Sequence, residues 1–112
     1  MLHTTFARVD EADVPRLRSW LESLSSRRGE LRESYRRHGT RHELFFLIRT
    51  RGAPTLVIIT EVANAEEAAT SFLRSTLPID VEFKALVQEI SPEEADVEGL
   101  YDSSAYVDIA AA

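Results

Sequence analysis

The sequence predicts an α+β domain, an antiparallel sheet with helices laid on one face. Two apolar runs predict the sheet: Phe45 to Ile48 (FFLI) and Leu56 to Ile59 (LVII) are short, rich in aromatic and β-branched residues, and separated by Gly52 and Pro54. That is the composition of two strands joined by a tight turn. In a strand, neighbouring side chains face opposite ways, so four consecutive apolar residues in each run imply that both sheet faces are covered. A chain of 112 residues can cover one face with its own helices. Leaving about four large side chains wet on the other would forfeit roughly 6–12 kcal/mol, comparable to the whole stability of a small domain. A second cover is therefore expected: another copy of the chain, a bound molecule or a folded-back tail.

The remaining elements follow in order. Leu2 to Val9, with Thr4, Thr5, Phe6 and Val9, suits a first strand. Asp10 or Asp13 is placed to cap a helix with Pro15 in its first turn, and Val14, Leu17, Leu21 and Leu24 recur at helical spacing. Gly29 is expected to interrupt it. Glu30 to His38 resumes a helix that Gly39 stops. After the hairpin, Asn64 with Glu67 has capping-box spacing, and Ala65, Ala68, Ala69, Phe72 and Leu73 form an apolar helix face. Leu77-Pro78 ends it, Asp80 is placed to cap a further helix, Val81 to Ile90, and Val97 to Asp102 is expected as a last strand weakened by Gly99. Strand, helix, strand, strand, helix, strand is the ferredoxin-like βαββαβ plan. It fills residues 1–102 and leaves a tail, 103–112, whose Tyr106, Val107 and Ile109 could pack on the body or on a partner.

Composition narrows the function. The chain has 44% hydrophobic and 29% charged residues, one domain's worth of an ordinary globular protein. No apolar run approaches a membrane span and the N-terminus lacks the pattern of a secretory signal. Cysteine is absent, which excludes disulfides and thiolate chemistry and fits a cytoplasmic location. A net charge of −6 disfavours nucleic acid as a partner. Residues 1–51 carry 11 Arg against 7 acids, whereas 52–112 carry one Arg and one Lys against 12 acids. Either the basic half binds an anionic partner or the two halves offset each other within the fold or across a dimer.

Three stretches carry a resemblance: Glu30-Leu-Arg-Glu33-Ser-Tyr35, Glu43-Leu-Phe-Phe46, and Ser75-Thr-Leu-Pro78-Ile79-Asp80 followed by Lys84. Over roughly residues 5–90 the chain is similar to a family of small bacterial proteins of unknown function. Its plan resembles the dimeric α+β-barrel superfamily. The resemblance implies two chains pressed sheet to sheet, with small molecules bound in a cleft between sheet and helices. A His that the family pattern often places near Glu82-Phe83-Lys84 is absent. Members of the superfamily include cofactor-free oxygenases and isomerases, but none of their residue patterns is found here, and a shared fold does not transfer function.

The candidate residues are few. His42 and Glu43 open the second strand and Glu61 closes the third, so they are acid/base candidates at the hairpin's open end. A three-residue loop would put Glu43 and Glu61 on one face and a four-residue loop on opposite faces. The alternative is a solvated strand end, or a carboxylate paired with Arg41. Glu30, Glu33, Tyr35 and Asp80 are ligand-binding candidates at a cleft edge; ordinary surface pairing with Arg32, Arg36 or Arg37, and a helix cap for Asp80, are the competing explanations. His3, His38 and His42 are too scattered to predict a metal site, and His38 suits a cap near a helix C-terminus. No phosphate loop or nucleophile elbow occurs, so no cofactor is expected. The expected function is that of a small homodimer that binds a small molecule. A cofactor-independent isomerase or monooxygenase-like enzyme, and a partner-binding module using Arg27 to Arg51, are the alternatives.

Overall fold

The hairpin forms as its composition predicts. In a computed structural model describing residues 1–93 and 95–106, strand β2 (Thr40–Ile48) pairs antiparallel with β3 (Thr55–Val62). Strand β1 (Leu2–Arg8) pairs with the other edge of β3, giving the order β1-β3-β2. The connection is longer than a tight turn: it spans residues 49–54, with Gly52 at φ 88°. Ile48 lies opposite Thr55, and Glu43 opposite Thr60. A register shift at the start of β2, between Thr40 and His42, marks a bulge.

Four α-helices complete the described residues: α1 (Val14–Ser23), α2 (Arg28–His38), α3 (Ala65–Arg74) and α4 (Pro78–Ile90). Neither Asp10 nor Asp13 caps α1 with its side chain; a 3-10 turn, Glu11–Asp13, intervenes, and the Asp13 N–H donates to the Asp10 carbonyl. The break between α1 and α2 falls before Gly29, at Leu24–Ser26. There the Ser25 and Ser26 hydroxyls donate back to the Glu22 and Ser23 carbonyls, competing with the helical ladder. Gly29 itself lies in the first turn of α2. Gly39 stops α2 in the left-handed region at φ 65°. The Asn64 side chain accepts from the Glu67 N–H and starts α3, as its spacing predicts. Helix α4 begins at Pro78 rather than after Asp80, so Asp80 lies inside the first turn instead of capping it.

The core occupies one end of the layer between sheet and helices. Ala7, Val9, Leu56 and Ile58 meet Val14 and Leu17 of α1 and Leu86 and Ile90 of α4, all buried. The opposite sheet face carries no helix among the described residues, although Val57 at its centre, opposite Phe6 and Phe46, is buried. Leu2, Leu44, Phe46 and Ile48 are 41–70% exposed there, because every helix lies on the inner face. Among the described residues, therefore, nothing supplies the second cover expected from the apolar runs.

The expected last strand does not form. Residues 95–102 are irregular, and Val97, Leu100 and Tyr101 are exposed. The carboxylates of Glu93, Asp96 and Glu98 and the flexible Gly99 disfavour a pleated, half-buried strand there. Ser103–Ala105 makes a 3-10 turn capped by Asp102, and the Tyr101 and Tyr106 rings stack at 6.4 Å. Val107 and Ile109 lie outside the described residues.

Two glycine substitutions are expected to act with opposite sign. At Gly29, which is helical and has nothing within 4 Å of where a Cβ would sit, alanine stabilises by about 0.5–1 kcal/mol. At Gly39, with positive φ and the Ala63 Cβ at 3.4 Å, alanine destabilises by about 1 kcal/mol. Urea unfolding of the two variants checks both.

Candidate functional site

Beyond the core, the helices stand away from the sheet and leave a half-open cavity of about 710 Å³. Its floor is the inner sheet face: His3 and Thr5 of β1, Glu43 and Phe45 of β2, Ile58 and Thr60 of β3. Its walls come from Leu31, Ser34, Tyr35 and His38 of α2, spaced so that they share one helix face. Helix α3 supplies Ala65, Ala68 and Phe72, and α4 supplies Ile79, Phe83 and Lys84. Helix α3 has no fully buried residue, since its apolar face looks into this space. Phe83 joins the aromatic wall: it stacks on Trp20 at 5.2 Å and meets Phe45 and Phe72 edge-on at 5.8 and 6.2 Å.

Register decides which hairpin carboxylate enters. Glu43 sits opposite Thr60 on the inner face, whereas His42 and Glu61 sit opposite each other on the outer face. The three acid/base candidates are therefore not brought together. His42 is exposed, and Glu61 is half-buried beside the N-terminal amino group at 3.4 Å. Glu43 is half-buried, and its Oε1 accepts a hydrogen bond from the Tyr35 hydroxyl at 3.1 Å. Burial pushes the Glu43 carboxyl above the usual range, and the nearby Asp80 charge adds to this; the Tyr35 hydrogen bond and His38 oppose it. The Tyr35 phenol is itself pushed up, by burial first and then by the Glu43 charge.

Behind this pair lies a polar clamp. Asp80 is buried and accepts from Ser34 at 2.6 Å through Oδ1. Its Oδ2 accepts from His38 Nε2 at 2.8 Å and from the Ser75 hydroxyl. His38 Nδ1 bonds Ser71 Oγ at 2.6 Å. Burial raises the Asp80 pKa, but the hydrogen bonds from Ser34, Ser75 and His38 outweigh it and hold the carboxyl below its ordinary value. The hydroxyl–imidazole–carboxylate line looks like a nucleophile's relay. Ser71, however, does not line the cavity; it joins α3 to α2. The arrangement therefore reads as a clamp among α2, α3 and α4. Lys84 strengthens it, donating to the carbonyls of Phe72, Leu73 and Ser75 at 2.9–3.1 Å and so closing the C-terminus of α3.

The other ligand-binding candidates are engaged in ion pairs. Glu30 accepts from Nε and Nη2 of Arg27, whose Nη1 and Nη2 also donate to Glu82. Glu33 pairs with Arg36 and Arg37, which hold its carboxyl down at about 2. Tyr35 and Asp80 do line the cavity. His38 is a buried partner of Asp80 rather than an exposed helix-end cap. The four-residue spacing Ser34/His38 is the sequence sign that these two share a helix face, whereas Ser75 lies just past the end of α3. Among the described residues, no group of three or more His, Cys, Asp or Glu is placed to hold a metal ion. Among them, too, no helix is long and apolar enough to cross a membrane.

Fold and site together define a small α+β domain that keeps an apolar cavity between one sheet face and its helices. The chain belongs to a family of unknown function, DUF6176, whose model matches residues 2–106. No curated protein and no solved structure matches it.

The two cavity carboxyls are expected to affect stability in opposite ways. The fold lowers the pKa of Asp80, so its contribution is fully present above the unfolded value near 3.8 and is lost as pH falls through the lower folded value. Asp80→Asn is expected to destabilise by about 3 kcal/mol at neutral pH. The fold raises the pKa of Glu43, so stability is lost as pH rises from the unfolded value near 4.5 through the higher folded value and stays at that lower level above it. Glu43→Gln is expected to stabilise at neutral pH and to be close to neutral in acid. Urea unfolding across pH checks both signs.

Proposed function

We propose that this protein binds a small, largely apolar molecule in the cavity between the inner sheet face and α2, α3 and α4. One observation carries the reading: an aromatic-walled space of about 710 Å³ holds, on its floor, a half-buried carboxyl whose ionisation the fold disfavours. Concave, mostly apolar sites with a few convergent polar groups are what small-molecule binding requires. A carboxyl held in that state opposes folding, and a strongly perturbed titratable group inside a cleft is a mark of a functional site. The same group supports a second reading, a cofactor-independent enzyme in which Glu43 moves a proton on the bound molecule. The β1-β3-β2 order with helices on one face supports the ferredoxin-like plan, without the fourth strand.

A second copy of the chain is proposed to cover the outer sheet face. The support is the exposed row of Leu44, Phe46 and Ile48 on β2, with Phe6 and Leu2 on β1 across the intervening β3, apolar surface of a kind that marks an interaction surface. A light-scattering mass of twice the 12.6 kDa chain is expected, falling to one chain in Phe46→Asp. A clean monomer at all concentrations would remove the dimer.

The cavity is tested with the neutral fluorescent amine N-phenyl-1-naphthylamine. Saturable binding is expected at one dye per chain, weakened by the cavity-filling Ala68→Trp and retained in Phe46→Asp. The reverse pattern would move the site to the outer face, and no binding would remove the cavity reading.

A further inference from the structure

The polar groups of the cavity differ in what they have left to offer a ligand. Lys84 faces it, but three backbone carbonyls accept from its ammonium. Asp80 faces it, but Ser34, Ser75 and His38 already donate to both of its oxygens. None of the chain's 12 arginines lines it. Glu43 is different. Its Oε1 takes the Tyr35 hydroxyl, while its Oε2 makes no hydrogen bond among the described residues. No buried side-chain oxygen lacks a partner among those residues, so Oε2 is reached from the open cavity. The site thus offers an acceptor, with its lysine paired and arginine absent; of the lining imidazoles, His38 is taken by Asp80 and His3 stands on the exposed strand β1. An anionic ligand would find no free ammonium or guanidinium and would face both Glu43 and Asp80.

The walls agree with this. Aromatic faces attract cations through the negative face of the ring quadrupole. One ammonium is already held that way, the Lys84 Nζ 5.5 Å from the Phe72 ring centroid. Burying a cation is costly unless it is paired and hydrogen-bonded, and Glu43 Oε2 supplies both the pairing charge and the hydrogen bond.

We propose that the cavity takes an organic ammonium, an amine whose N–H donates to Glu43 Oε2 while its apolar body lies among Phe45, Phe72 and Phe83. This rests on the cavity being the binding site. Ligand and carboxyl then compensate each other, because the cation makes ionised Glu43 tolerable in a site where burial alone disfavours it. Binding is therefore coupled to loss of the Glu43 proton. The titratable and charged groups that face Glu43 are Tyr35 and His38 from α2, Asp80 and Lys84 from α4, and His3 from β1.

Three probes with one apolar body separate the chemistry: 2-phenylethylammonium, 2-phenylethanol and phenylacetate, each competed against the neutral dye on the full chain and on Glu43→Gln. The ammonium is expected to bind about ten-fold tighter than the alcohol, with phenylacetate weakest. Its affinity is expected to rise with pH as Glu43 ionises, while that of the alcohol stays flat. Glu43→Gln, checked for folding by its unfolding curve, is expected to bring the ammonium down to the level of the alcohol and to abolish the pH slope. An alcohol that binds as well as the ammonium overturns the inference, as does a preference that survives in Glu43→Gln. So does dye binding that none of the three probes competes, although the cavity reading then stands. Failure of the dye itself to bind removes that reading and the inference with it.

Discussion

The buried hydrogen bond between His38 and Asp80 is the constraint on which the helical layer depends. Both side chains are buried, 42 residues apart in sequence, and Asp80 collects hydrogen bonds from Ser34 and Ser75 as well. A buried carboxylate is tolerated only when it is fully satisfied, so α2, the loop before α4 and α4 are held in one relative position. Ser71 on His38 and Lys84 on the last carbonyls of α3 add the third helix. Directional polar bonds hold these elements at a set distance, whereas apolar contact alone would draw them onto the sheet.

That distance separates the domain into two ends. At the Leu56 end, α1 and the C-terminal half of α4 close on the sheet and exclude space. At the Thr60 end, α2, α3 and the first turns of α4 stand off and leave the cavity. Cavities without polar support destabilise in proportion to their volume, and here the clamp forms part of the lining. Glu43 stands across from it on the floor, bound to Tyr35 and raised in pKa by burial. One end of the layer thus supplies stability and the other a chemically differentiated space. Ionised Glu43 thus opposes folding, because burial outweighs its hydrogen bond, while ionised Asp80 supports it, because its hydrogen bonds outweigh burial.

The outer face follows from connectivity. With all helices on the inner face, the alternate residues Leu44, Phe46 and Ile48 of β2 are left uncovered, and the irregular segment after α4 adds no fourth strand. The same apolar runs that form the hairpin therefore also create a surface that the described residues leave uncovered.

Local physics made most of the fold legible. The apolar runs Phe45 to Ile48 and Leu56 to Ile59, the Asn64 cap, Pro15 and Gly39 each act within a few residues, and strands and helices form where they point. The break between α1 and α2 departs from its expected place because serine back-bonding outweighs a helical glycine, and the last strand fails because local acidity opposes it. Of the site, Tyr35, Glu43 and Asp80 were visible as residue types but not as a group. Their joining depends on β-register, where one residue of slip exchanges the two faces, so the loop 49–54 sends Glu43 inward and leaves His42 and Glu61 outside. It depends also on contacts across 46 residues, such as Ser34 to Asp80, which no local pattern encodes. The sequence by itself determined the elements, because their formation is governed by neighbouring residues. Tertiary structure alone decided which polar groups meet, because burial and register are properties of the assembled layers.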